Sequence, residues 1–122
     1  MDKKVNKKKG DWGEKVAAAY LMEKGYTIIQ KQWHSYRFEI DIIAKKERTI
    51  VFVEVKTRFS KAFGEPWTAV NRSKQRKICQ SADHYLRCFD VAEEPRFDIV
   101  SIIHCEGDTE ILHLEQAFYP TL

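Results

Sequence analysis

The sequence predicts an α/β fold, a mixed sheet with helices packed against it. Two runs, FEIDIIA at 38–44 and TIVFVEVKT at 49–57, are rich in β-branched residues and flank the polar connection KKER, which predicts an antiparallel hairpin. Two further segments, one near the N-terminus and one after Pro66, repeat apolar residues at helical spacing. The full order is helix, three strands, helix, two strands. Such alternation favours one mixed sheet covered by helices over separate all-α and all-β units.

Asp11 followed three residues on by Glu14 fits a variant of the capping box, so the first helix is predicted to open there. Val16, Ala17, Tyr20 and Leu21 give it an apolar stripe, and Gly25 stops it after Lys24. YTIIQKQW, 26–33, reads as the first strand, and HSYR turns the chain into the hairpin. RFSKAFGEP, 58–66, has the Gly, Pro and Ser content of a loop, with Pro66 suited to the first turn of the next helix. Ile78, Ala82, Tyr85, Leu86 and Phe89 form the buried face of that helix, which ends near 88–90. RFDIVSIIHC, 96–105, and EILHLEQAF, 110–118, read as two last strands across the turn EGDT.

A length of 122 residues suits one domain, expected over 10–122 behind a flexible basic arm at 1–9. With 43% hydrophobic and 32% charged residues, the composition is that of a globular protein. No apolar run approaches the roughly 20 residues of a membrane span, and no apolar stretch follows the basic start as in a secretory signal, so the expectation is a cytoplasmic protein. Cys79, Cys88 and Cys105 are odd in number and lack CxxC spacing, against both a disulfide framework and a zinc ribbon. The four histidines show no ligand-type pairing, against a histidine metal site.

Net charge is +3, unevenly spread. Residues 1–9 carry five Lys against Asp2; residues 56–77 carry seven cations against Glu65; residues 78–122 carry two Arg against nine acids. The basic arm and the central segment could serve a polyanion, or they are a solvated tail and the exposed start of a helix.

Charges inside the hairpin are the sharper signal. Alternation puts Val51, Val53 and Val55 on one face of the second hairpin strand and Phe52, Glu54 and Lys56 on the other. In the first, Ile40 and Ile42 are expected to share a face, with Glu39, Asp41 and Ile43 opposite. Aligned polar faces bring Asp41, Glu54 and Lys56 to one end of the sheet. Two close carboxylates repel, so a cation belongs between them. Lys56 supplies one charge; Mg²⁺ answers better, since it takes one or two carboxylates, keeps waters, and is completed by phosphate oxygens. It would orient and acidify a water for attack on phosphorus, with Lys56 stabilising developing charge or assisting the water. The alternative is a salt-bridge network on the solvent face of a half-exposed sheet.

Asp41, twelve intervening residues, then EVK at 54–56, within an αβββαβ order, resembles the PD-(D/E)xK nuclease superfamily and its restriction-endonuclease-like fold. More closely, GDWGEKVAAAYLMEKGY, EIDIIA, VFVEVKTR, AVNRSKQRKI and RFDIV resemble, in order, the blocks of the YraN family, small endonuclease-like proteins related to archaeal-type Holliday junction resolvases. This resemblance covers about residues 10–105. It implies that Asp41 and Glu54 bind Mg²⁺ or Mn²⁺ with the backbone carbonyl of Val55, that Lys56 is the catalytic lysine, and that Glu14 is an acid brought from the first helix, a role competing with the cap above. It also implies that Arg58, Lys74, Arg76 and Lys77 contact phosphates. Glu39 matches a block residue as well, although pairing with Arg37 or Arg58 explains it without chemistry. Trp67 packs the loop or stacks on a base.

The expectation is therefore a metal-dependent nuclease acting on DNA, with branched or distorted DNA implied by the resolvase relatives, and a homodimer if cutting is symmetric. Its rivals are a non-catalytic nucleic-acid-binding module of the same fold and a protein-interaction domain that uses the acidic C-terminal part.

Overall fold

The structure, a computed structural model, describes residues 3–35 and 38–120. Helix α1 (Lys3–Glu23) leads into strands β1 (Thr27–His34), β2 (Glu39–Lys46) and β3 (Thr49–Arg58). A 3-10 turn (Pro66–Ala69) and helix α2 (Arg72–Phe89) then connect to β4 (Glu94–Cys105) and β5 (Asp108–Phe118). The sheet order is β1-β2-β3-β4-β5, with β3 and β4 parallel and every other neighbouring pair antiparallel. This is the predicted α/β architecture, a mixed sheet compatible with a restriction-endonuclease-like core. Among the described residues no helix is long and apolar enough to cross a membrane.

Two departures concern where helices begin. The predicted start at Asp11 is overturned, because α1 already runs from Lys3 and both Asp11 and Glu14 lie inside it. Lysines have good helix propensity, and Lys9 is tied down over the Phe59 ring at 4.9 Å, so the segment read as an arm is helical from Lys3. Pro66 opens only the 3-10 turn; α2 starts six residues later, where the Asn71 side chain accepts from the Lys74 N–H at 3.0 Å. At the other end of α1 the Gly25 prediction holds. Gly25, at φ 95°, donates to Met22 O and Tyr26 donates to Leu21 O, the paired bonds of a Schellman stop.

Each face of the sheet carries one helix and one core. On the first, Ala17, Ala18 and Leu21 of α1 pack on Ile42, Val51, Val53 and Val100. On the second, Ile78, Ala82 and Tyr85 of α2 pack on Ile43, Phe52, Phe97 and Ile99, with the Phe52 and Phe97 rings stacked at 5.6 Å. Leu86 is partly buried there, and Phe89, placed by its spacing on the buried face, is exposed at the last turn. Coverage on both sides explains why β4 is buried without interruption from Phe97 to Ile103.

A buried polar network locks the first core to β5. Asp98 is fully buried, accepts two bonds from Arg96 at 2.9 and 2.8 Å, contacts His113 Nε2 at 2.7 Å and accepts from the Gln116 N–H at 3.1 Å. Burial alone would raise its carboxyl, but the His113 and Arg96 bonds outweigh that and hold it below the ordinary carboxylate range.

Candidate metal and phosphodiester site

The site forms where β2 and β3 part. Their ladder ends at Ile42 opposite Val53, and beyond it the Val55 N–H donates to Asp41 Oδ2 at 2.8 Å, so a side chain takes over from the backbone. Asp41 thereby breaks the alternation of β2. Ile40 packs in the α2-side core and Ile42 in the α1-side core, which corrects the prediction that they share a face. Across the edge, Gln32 lies between the Lys31–Ile42 and Trp33–Ile40 pairs in a left-handed conformation at φ 52°. Its amide donates to Glu14 Oε2 at 3.1 Å and Asp11 Oδ1 at 3.4 Å.

Helix α1 delivers Glu14 through a close approach. A Cβ on Gly13 would stand 2.1 Å from Thr57 Oγ1, so only glycine lets the helix lie this near β3. The next residue then meets the hairpin acids: one carboxylate oxygen each from Glu14, Glu39 and Asp41 lie within 4.8 Å of one another. Glu54 is 6% exposed and within hydrogen-bonding reach of Asp41.

So many acids in one place cannot all ionise cheaply. Burial pushes Glu14 up to about 7, opposed by the Gln32 bond and reinforced by Asp41, Glu39 and Asp11. Burial, then Glu54, lifts Asp41 well above the usual range, opposed by the Val55 N–H and Lys56. Glu39 is raised by burial and by Asp41. Glu14 Oε1 is buried with no hydrogen-bond partner. A buried acceptor in that state calls for a proton or a cation.

Cations share the cleft with these acids. Lys56, Arg58 and Lys9 border the same cleft of about 640 Å³ as Glu14, Asp41 and Glu54. Lys74 reaches Lys56 from the first turn of α2, and contact with Lys56, followed by burial, lowers its pKa. A phosphate in this cleft would relieve the lysine pair, while a divalent ion would relieve the acids.

Of the residues singled out in the sequence, Asp41, Glu54, Val55, Lys56, Glu14 and Arg58 thus border one cleft, and Lys74 joins them through Lys56. Arg76 does not. It lines, with Arg72, a separate groove of about 900 Å³ between α2 and the end of β5. Lys77 is exposed on α2, and Arg37 lies outside the described residues. Glu39, read above as a block residue or a partner of Arg37 or Arg58, joins the acid cluster and lies 3.8 Å from His34, while the Arg37 pairing falls outside the described residues. Its signal was the two-residue spacing to Asp41. No local pattern marks Gln32, whereas Gly13, a glycine inside a helical stripe, is unfavourable enough to ask for a packing reason.

The model of the family described as Uncharacterised protein family UPF0102 matches residues 13–102, which hold Glu14, the hairpin and Lys74. A UPF0102 protein of Phocaeicola vulgatus is 43% identical over 113 residues, 93% of each chain. One from Bacteroides thetaiotaomicron is 42% identical over the same share of each. One from Clostridium acetobutylicum is 40% identical over 118 residues, 94% of this chain and 97% of its own. With the matched segment spanning most of the chain and relatives well above 30% identity over nearly their full length, this protein belongs to the UPF0102 family.

Proposed function

We propose that this protein is a metal-dependent nuclease that hydrolyses phosphodiester bonds in nucleic acid, DNA in the first instance, and that it belongs to the PD-(D/E)xK superfamily through the YraN-type blocks. The observation that carries the reading is one cleft that holds Glu14, Asp41 and Glu54 together with Lys56, with Glu39 joining the acids and Lys74 reaching Lys56. The donor set fits a hard divalent ion: the clustered side chains Glu14, Glu39 and Asp41 all offer carboxylate oxygens, and Glu14 Oε1 is buried without a partner. Asp41 and Glu14 would hold Mg²⁺ or Mn²⁺, with Glu39, Glu54 and the Val55 carbonyl as neighbouring donors. When bound, such an ion supplies a polarised water and offsets phosphate charge.

The chain's own groups do the rest. The Val55 N–H holds the Asp41 carboxylate in place at 2.8 Å, and Gln32 does the same for Glu14 at 3.1 Å. Lys56 faces the scissile phosphate and either stabilises the developing negative charge or donates a hydrogen bond that orients the attacking water. Lys74 and Arg58 bind flanking phosphate oxygens.

The test is cleavage of labelled four-way junction, duplex and single-stranded DNA with Mg²⁺ or Mn²⁺ by the wild type, Asp41→Asn and Lys56→Ala. Cutting that both substitutions abolish supports the reading, and equal cutting by all three proteins overturns the site. No cutting by any, with DNA retained in EDTA, would leave a non-catalytic binding module.

A further inference from the structure

Phe63 is the most exposed large apolar side chain described, at 81%, and it stands on the rim of the same cleft as Asp41, Glu54 and Lys56. Its loop is pinned on both sides. Phe59 packs against Trp12 at 5.6 Å and His104 at 6.0 Å, the Ala62 N–H donates to Ser60 Oγ at 3.1 Å, and Lys61 pairs with Glu110 at 3.3 Å. Gly64, at φ 79°, has open space around it, and Pro66 is buried beyond it. The ring is therefore held out over the cleft by a braced turn. Trp67, the aromatic that sequence alone offered for stacking, is 39% exposed and does not border the cleft; its backbone N–H is committed to Ser101.

An apolar protein partner would need a contiguous patch, yet apart from Phe59 the residues of the Phe63 loop, Ser60, Lys61, Ala62, Gly64 and Glu65, are small or charged. The cleft that Phe63 lines carries the cations Lys9, Lys56 and Arg58, with Lys9 over the neighbouring Phe59 ring. A flat aromatic face beside cations is the arrangement that takes a nucleobase and its phosphate together. Bases stacked inside a duplex offer no free face, whereas an unpaired base does.

We infer that Phe63 stacks on an unpaired nucleobase, so that the cleft selects single-stranded or locally unpaired nucleic acid over intact duplex. This rests on the nuclease reading of the same site, and the experiment separates the two. Binding of fluorescein-labelled oligothymidylate and of a blunt duplex of equal length is measured by anisotropy, with Ca²⁺ replacing Mg²⁺, for the wild type, Phe63→Ala and Phe63→Trp. The expected result is a loss of about tenfold or more in single-strand affinity for Phe63→Ala, an unchanged duplex affinity, and recovery in Phe63→Trp. Because the ring is exposed, Phe63→Ala is expected to fold normally. Single-strand affinity unchanged in Phe63→Ala, or both substrates weakened alike, overturns the stacking role and leaves the nuclease reading standing. A wild type that holds neither substrate overturns both.

Discussion

Replacing Glu14 by Gln should make the protein more stable above neutral pH while removing a proposed metal ligand. Burial raises the folded-state pKa of Glu14 from 4.5 to about 7, so the native state holds this proton longer than the unfolded chain does. The penalty for its charged form is absent below the unfolded value of 4.5, grows between 4.5 and about 7, and is complete above. That gap corresponds to at most about 3.5 kcal/mol at about 1.4 kcal/mol per pH unit. Partial solvent access to the side chain screens it to about 1–2 kcal/mol. Urea denaturation of wild type and Glu14→Gln across the pH range should therefore show near-equal stability at about pH 4 and an advantage of about 1–2 kcal/mol for the variant at about pH 8. For a domain of this size the shift in Tm is about 3–10 °C. Gln retains the bond to Gln32, so the comparison isolates the charge. A difference that stays flat with pH, or a wild type that gains on the variant as pH rises, would refute the argument from burial. Under the proposed function, Mg²⁺ at high pH should stabilise the wild type and leave Glu14→Gln unmoved.

Gly13→Ala should destabilise by about 1–3 kcal/mol through its clash with Thr57, and Thr57→Ala added to it should recover part of the loss in a double-mutant cycle by denaturation. Asp98→Asn should cost about 3–5 kcal/mol, because it strands Arg96. Since the folded carboxyl of Asp98 is depressed, its contribution is present above the ordinary Asp value of 3.8 and is lost as pH falls through the folded one, so acid titration of the variant should lack that step. Lys74→Ala should weaken DNA binding and lower the salt slope by about 1, whereas Arg76→Ala, facing the other groove, should leave cleavage at the cleft unchanged; a salt titration with a cleavage assay reads both.

Local patterns were legible and their relative placement was not. The hairpin, the order of elements and the Gly25 stop follow from periodicity and turn chemistry, which act over a few residues. Asp41, Glu54 and Lys56 stood out for the same reason, as charges in runs that otherwise alternate or stay apolar. The start of α1 is not legible because Asp11 and Glu14 mimic a cap, while their partner Gln32, and Thr57 beside Gly13, are distant in sequence.

By itself, then, the sequence determined an α/β chain with an antiparallel hairpin and ionisable groups at one end of it. Only the tertiary structure decided that Asp41 leaves the β2 alternation to bind the Val55 N–H, that Gly13 lets α1 bring Glu14 to it, and that Lys74 but not Arg76 turns toward the site. The reason is physical: alternation specifies which way a side chain points from a regular strand, whereas a site is assembled where strands part and a helix lies across them. Those placements depend on contacts far apart in the chain, such as the parallel pairing of β3 with β4 and the packing of one helix on each face.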